Sequence, residues 1–428
     1  MTGRGALQGV LAWIFLAGLA FQGWGCGPDA GPDRRIPRSP GLKEADRLVA
    51  EAVGDGLVPG AVLRVSRDGE VVLERAYGSA QAMVWEGTGP GPRRLDPPRP
   101  MTGETAFDLA SVTKVMATTM AVMLLVDRGQ VSVDEPVGRY LPAFSGPEKR
   151  CITLRHLLTH TSGLAQWQPL YYQASTAGEA LAAVAGMPLH WRVGEERHYS
   201  DLGFMVLGYL VAEISGRPLD RFVEEEIYRP LGLARTGFEA PAGPFAATSH
   251  GNPFEGRMVH DTAFGYRYEG DAEAWRGWRR YTLVGEVNDG NAFHAHGGVA
   301  GHAGLFSTAG ELDLLLRLLL RGGSLPGTGG RDDEQGAGIR LFSSETVDTF
   351  LTESIPGQAL GWQSPSWAPA GNFSHTGFTG TFVMGIPAPD LAVVLLTNRQ
   401  NFGVDAETRY PDLSTLQREV VQALLADG

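Results

Sequence analysis

Ser111 and Lys114 stand three residues apart at the head of a largely apolar run, Val115 to Val126. On a helix that spacing puts both side chains on one face. A serine hydroxyl is a poor nucleophile, and a neighbouring amine whose pKa is lowered by burial can take its proton. A helix N-terminus adds backbone N–H groups and a positive dipole end where negative charge develops. The pair alone also fits a serine N-cap beside a surface lysine. Two further groups are candidates for the same chemistry. Tyr199, in Tyr199-Ser200-Asp201, follows a glycine-containing loop and leads an apolar stretch from Leu202 to Ile214 that ends at Gly216. His375, in His375-Thr376-Gly377, precedes Phe378-Thr379-Gly380-Thr381. Taken singly, the first reads as a packed aromatic and the second as a turn.

Something must bring these three distant segments together. Leu42 to Val53 has the apolar spacing of an amphipathic helix. Next, Gly60 to Gly78 holds two β-branched runs joined across Asp68-Gly69, a hairpin signal because both positions tolerate positive φ. Near the other end, Thr381 to Ile386 and Leu391 to Thr397 form a second strand pair across Pro387-Ala388-Pro389-Asp390, and Leu413 to Leu425 shows one apolar helical face. The middle, Ala110 to Leu320, reads as mostly helical with glycine-rich loops. This order predicts an α+β or α/β sandwich, in which an antiparallel sheet is built from both chain ends with flanking helices and a mostly helical region is inserted between them. Gly87 to Pro100 and Gly322 to Gly338, poor in apolar residues, are expected to be exposed loops.

The chain has 428 residues, with 48 acidic against 36 basic side chains, a net −12 that argues against a nucleic-acid partner. Two cysteines, Cys26 and Cys151, exclude a disulfide framework and any cysteine-rich metal site. Residues 1–25 carry Arg4 as their one charge before an apolar run, Leu7 to Phe21, too short to span a bilayer and suited to a bacterial signal peptide. The segment around Cys26 is similar to the lipobox of bacterial lipoproteins, with Gly23 in place of the usual Leu and a bulky Trp24, so Cys26 is a candidate for lipidation. An ordinary signal cleaved nearby and an uncleaved anchor are the alternatives. Residues 27–41, rich in Pro, Gly and charge, are expected to be a flexible tether, and 42–428 the working domain.

In their order and contexts, S-x-x-K, Y-S-D and H-T-G resemble the three motifs of the serine β-lactamase and penicillin-binding-protein superfamily, in its class C-like branch. Gly129 to Pro136 (GQVSVDEP), Ile152 to Leu164 (ITLRHLLTHTSGL) and Pro230 to Leu233 (PLGL) extend the resemblance, which covers the chain from about Leu42 to Asp427. It implies a β-lactamase/transpeptidase-like fold in which Ser111 forms an acyl-enzyme while Lys114 and Tyr199 share the proton work, the phenol's pKa being lowered if it lies beside a cationic amine. The oxyanion would rest on the backbone N–H groups of Ser111 and Phe378. Asp201, His375, Thr376 and Gly377 would meet the substrate, with Asp201 alternatively holding Lys114 in place, and no metal or other cofactor is implied. Many relatives have Asn where this chain has Asp201, and β-lactamases of this branch have Lys where it has His375. An acceptor-only carboxylate and a mostly neutral imidazole favour a D-amino-acid peptide, amide or ester over a dedicated β-lactam substrate.

The expected partner is therefore a small molecule or peptide, including peptidoglycan-derived ones, with membrane contact only through an N-terminal lipid anchor. The expected location is exported, in the periplasm or envelope. Gly285 to Leu312 resembles a cleft-lining stretch of one subgroup that includes periplasmic penicillin-binding proteins. Its His294, His296 and His302 admit a zinc-hydrolase reading, against which loop packing is favoured because no H-E-x-x-H pattern accompanies them. A class C-like β-lactamase and a catalytically silent module that senses muropeptides remain as competing functions.

Overall fold

A computed structural model describes residues 39–89, 91–264, 266, 268–326 and 338–427. The expected signal peptide, Cys26 and residues 27–38 of the tether lie outside the described residues.

Six antiparallel strands form the main sheet: β1 (Gly60–Arg67), β2 (Glu70–Val84), β3 (Arg93–Pro100), β4 (Phe373–Thr376), β5 (Thr381–Ile386) and β6 (Leu391–Thr397), in the spatial order β4-β5-β6-β1-β2-β3. The two chain ends meet at the centre, where Ala61 to Arg67 pair with Thr397 to Leu391. Asp68 and Gly69 take φ of 51° and 75°, as the hairpin required. Alternate residues of the central strands feed two cores. Ala61, Leu63, Val65, Val393 and Leu395 pack beneath α1 (Pro40–Gly54) and the last helix, while Val62, Val394 and Leu396 join the core of the helical region. Both faces are buried, so β6 is an unbroken apolar run.

The first helix begins earlier than its apolar spacing suggests. Ser39 is its N-cap, so residues 39–41, expected to belong to a tether, form the start of this helix instead. Asp427, following the last helix, accepts from the backbone N–H groups of Gly41 at 2.7 Å and Leu42 at 3.1 Å, tying one end of the chain to the other. The expected loop from Gly87 to Pro100 instead contains β3. Its residues are mostly exposed, and as the edge strand it tolerates three prolines and arginines that an interior strand would reject. Within Gly322–Gly338, Ser324–Leu325 pairs with Ile339–Arg340, and residues 327–337 lie outside the description.

The inserted region surrounds α2 (Met120–Asp127), which is preceded by a 3-10 turn (Ala110–Val112) and a π-helical stretch (Lys114–Thr119). Residues Ala110–Asp127 are long and apolar enough to cross a membrane, but 83% of the stretch is buried inside the protein as its central helix. Beside it run α3 (Asp201–Ser215), capped by Ser200 and ended by Gly216 at φ 69°, and α4 (Ala309–Leu320), which packs on β1, β5 and β6. The last helix, α5, spans Ser414–Leu425 and packs beside α1.

Candidate active site

Ser111 sits on a strained turn. Ala110 has φ of 46°, a left-handed conformation that costs a non-glycine residue on the order of 1 kcal/mol. Asp108 holds it there: Oδ1 accepts the Ala110 N–H at 2.9 Å, and Oδ2 accepts the Asn288 N–H at 2.6 Å. The helix that follows opens as 3-10 and π turns rather than as the regular α-helix expected from the sequence. The three-residue spacing still places both groups on one side, with Lys114 Nζ 2.8 Å from Ser111 Oγ.

Three other groups surround the lysine. Asp201 Oδ1 lies 2.8 Å from Nζ, the carbonyl of His302 accepts from it at 3.3 Å, and the centroid of the Tyr199 ring is 4.8 Å away. Lys114 and Ser111 both lie near enough to the Tyr199 hydroxyl to favour its ionised form. Ser200 brings Tyr199 and Asp201 here by capping α3, its Oγ accepting the Gly203 N–H at 3.1 Å.

The electrostatics overturn two expectations. Burial pushes the Lys114 ammonium down, but the facing Asp201 carboxylate and Tyr199 phenol outweigh it, so its pKa is raised and not lowered. Burial likewise raises the Tyr199 phenol, and the lysine only partly offsets this. In the free protein the lysine is therefore an ammonium and the tyrosine a neutral phenol.

His375 also differs from its expected place. It lies on β4 with 1% of its surface exposed, its Nδ1 donating to the carbonyl of Thr376 at 2.8 Å and its ring 6.1 Å from that of Tyr199. Burial pushes it down to about 3, leaving a neutral ring behind Tyr199 rather than a group facing substrate. Tyr199 also packs against buried His160, whose ring centroid is 4.4 Å away and whose Nδ1 accepts the Ser200 N–H at 3.0 Å. Thr376, Gly377 and Phe378 do border the cleft beside Ser111.

The H-T-G turn is fastened to the serine turn. Thr379 Oγ1 donates to the Asp108 carbonyl at 2.7 Å, and Thr381 Oγ1 to that of Leu109 at 3.0 Å. A Cβ on Gly377 would come within 2.4 Å of the Leu109 oxygen, so only glycine permits this approach. Arg399 grips the Phe378 carbonyl at 2.7 and 3.0 Å, while the Phe378 N–H meets no acceptor among the described residues. The arrangement can offer backbone donors to a carbonyl oxygen held against Ser111.

Gly285–Leu312 packs directly against the serine segment. Leu305 donates its N–H to Thr113 Oγ1 at 3.1 Å, and Thr118 Oγ1 donates to the Gly301 carbonyl at 2.6 Å. Its histidines do not converge: His294 packs on Trp275, His296 bonds to Tyr209 at 2.5 Å, and His302 Nε2 pairs with Asp289 Oδ1 at 2.9 Å. The ligand atoms that do gather, within 4.8 Å of one another, belong to Asp201, Asp289 and His302. Lys114 already neutralises the first, and the other two satisfy each other. From Ser111 a cleft of about 220 Å³ extends past Tyr199 and Asp201 to Asn252, Glu255 and Asp289. Asp108, Glu255, Asp289 and Arg399 carried no local motif. Asp108 lies three residues before Ser111, and Asp289 lies inside the segment that the sequence had singled out.

The family model described as Beta-lactamase matches residues 45–416. The chain belongs to the β-lactamase family. It is 34% identical over 395 residues to "N-acetylmuramyl-L-alanine amidase" of Bacillus subtilis (strain 168), covering 84% of this chain and 81% of that protein. It is 31% identical over 404 residues to "Putative D-alanyl-D-alanine carboxypeptidase" of Escherichia coli (strain K12), covering 87% and 85%. A penicillin-binding protein homologue from Caulobacter crescentus superposes with a TM-score of 0.66 at 19% identity, over 91% of this chain and 98% of that one. A family VIII carboxylesterase superposes with a TM-score of 0.64 at 17% identity, over 92% and 99%. These two structures share the fold, the β-lactamase/transpeptidase-like sandwich expected from the motifs. The family makes this chain a serine hydrolase, as expected.

Proposed function

We propose that Ser111 is the nucleophile of an acyl-transfer hydrolase whose substrate is a peptidoglycan-derived peptide or amide. The observation that carries this is the 2.8 Å contact between Lys114 Nζ and Ser111 Oγ, made directly beside the turn that bears the Phe378 N–H. Ser111 Oγ attacks the substrate carbonyl. Once the Lys114–Tyr199 pair has lost one proton to solvent it accepts the Ser111 proton, and the carbonyl oxygen is held by the Ser111 and Phe378 N–H groups. The proton then goes to the leaving amine as the C–N bond breaks, and water, deprotonated by the same pair, releases the acid and restores Ser111. Because the pair holds its protons in the free enzyme, kcat/KM rises towards alkaline pH.

The substrate class rests on the names of the two relatives, "N-acetylmuramyl-L-alanine amidase" and "Putative D-alanyl-D-alanine carboxypeptidase". Asp201 paired to Lys114 and His375 buried as a neutral ring leave these two positions without a cation for a β-lactam carboxylate, so esters and amides rank before β-lactams. Thr376 and Gly377 flank the bound acyl group. The same substrate class fits export by residues 1–25, with Cys26 lipidated and residues 27–38 as the tether to the envelope. A hydrolysis panel of D-Ala-D-Ala peptides, N-acetylmuramyl-L-alanine peptides, D-amino-acid amides, p-nitrophenyl esters and nitrocefin tests the reading. Turnover of the peptides or amides with nitrocefin inert is the expected result, and nitrocefin as the best substrate contradicts it.

A further inference from the structure

We propose that the arm of the cleft walled by Asn252, Glu255 and Asp289 is a subsite for a primary ammonium group of the substrate. This deepens the hydrolase reading, since the same cleft reaches Ser111. Its lining carries three carboxyl groups, Asp201, Glu255 and Asp289, and no lysine or arginine; Lys114 pairs with Asp201 and His302 with Asp289, which leaves Glu255 as the carboxyl with no ion pair among the described residues. It is also rich in acceptors that lack donors. Asn252 and Glu255 are each 5% exposed, and Asn252 Oδ1 and Glu255 Oε1 have no hydrogen-bond partner among the described residues, although the Tyr171 phenol lies near enough to Glu255 to favour its ionised form. Asn252 Nδ2 is committed to Glu255 Oε2 and to the carbonyl of Asn288, which fixes the two side chains together. The remaining wall is aromatic, with Trp167 and Tyr266 edge to face at 5.9 Å and Phe254 against Phe378 at 4.8 Å. Rings and acceptors together fit a cation that carries N–H donors, such as a protonated primary amine.

The charge state follows. Burial and the neighbouring Asp289 carboxylate raise Glu255 to about 8, against weaker opposing effects from Tyr171, Arg279 and the Gly290 N–H. Against the effect of burial, His302, the Ala292 N–H and Lys114 hold Asp289 well below the usual carboxylate range. At neutral pH Glu255 therefore carries a proton that an arriving ammonium displaces, and binding tightens as pH rises through about 8.

The test is calorimetric titration of n-butylamine, which stays protonated up to pH 8.5, against n-butanol, using the full chain with Ser111→Ala. Turnover plays no part, so failure of the hydrolase reading and failure of this one are separable. The expected result is binding of the amine at least about tenfold tighter than the alcohol, tightening further from pH 6.5 to 8.5. Glu255→Gln and Asp289→Asn should each weaken it by about tenfold. Equal binding of amine and alcohol, or an unchanged affinity in both variants, overturns the proposal. So does a site that takes zinc chloride through Asp201, Asp289 and His302 but not the amine. If the variants do not fold, the amine-to-alcohol ratio and its pH dependence decide on the parent chain alone.

Discussion

Lys114 Nζ, on a fully buried side chain, lies 2.8 Å from Asp201 Oδ1 and 2.8 Å from Ser111 Oγ. The third residue of the Y-S-D motif thus reaches the lysine of the S-x-x-K motif. The carboxylate keeps the amine charged and aims it at the serine, so the free enzyme rests with its base protonated.

Replacing Asp201 by Asn removes the charge that raises Lys114 while leaving a polar group of similar size. The alkaline rise in kcat/KM should then move to lower pH, because the amine sheds its proton more readily. Asp201→Ala, which leaves a buried ammonium unpaired, should cost about 3 kcal/mol in urea denaturation. An Asp201→Asn pH profile identical to the parent, for every substrate, would count against the pairing.

Gly377 is where the H-T-G turn meets the serine turn. Gly377→Ala puts a Cβ within 2.4 Å of the Leu109 oxygen, which must separate the Phe378 N–H from Ser111. The expectation is a fall in kcat of about 100-fold, the scale of losing one oxyanion donor. The fall should appear with the chain still folded by circular dichroism.

Asp108 makes stability depend on pH in an uncommon direction. Burial raises its carboxyl to about 6, above the value near 3.8 of an unfolded chain. The folded state then binds the extra proton between those values, so this group's contribution is fully present below about pH 4 and is lost as pH rises through 6. The loss is on the order of 3 kcal/mol. Denaturation of the parent and of Asp108→Asn between pH 4 and 7 should show this falling component only in the parent.

Lipid attachment is tested by palmitate labelling in a bacterial host. Incorporation that disappears in Cys26→Ala supports the anchor, and incorporation that persists removes it.

The sequence made some of this structure legible and hid the rest for identifiable reasons. β5 and β6 read directly because both faces are buried, giving apolar runs bounded by Pro387 and Asp390. β3 did not read, because an edge strand of exposed arginines and prolines has the composition of a loop. Ser111, Lys114 and Tyr199 were visible through short local motifs. Asp108 was invisible as a clamp because its partner, Asn288, lies 180 residues away. The shift of Lys114 was misjudged for a related reason: burial was foreseeable from the apolar run and Asp201 was a candidate to hold the lysine, but how closely that carboxylate approaches from α3 is set by the fold.

The central claim is that Ser111 carries the acyl group. Incubating the full chain with a fluorophosphonate probe and locating the adduct by mass spectrometry tests it most directly. One adduct per chain on Ser111, absent in Ser111→Ala along with all hydrolysis, is the predicted result. No adduct on Ser111, with hydrolysis undiminished in Ser111→Ala, would contradict the account.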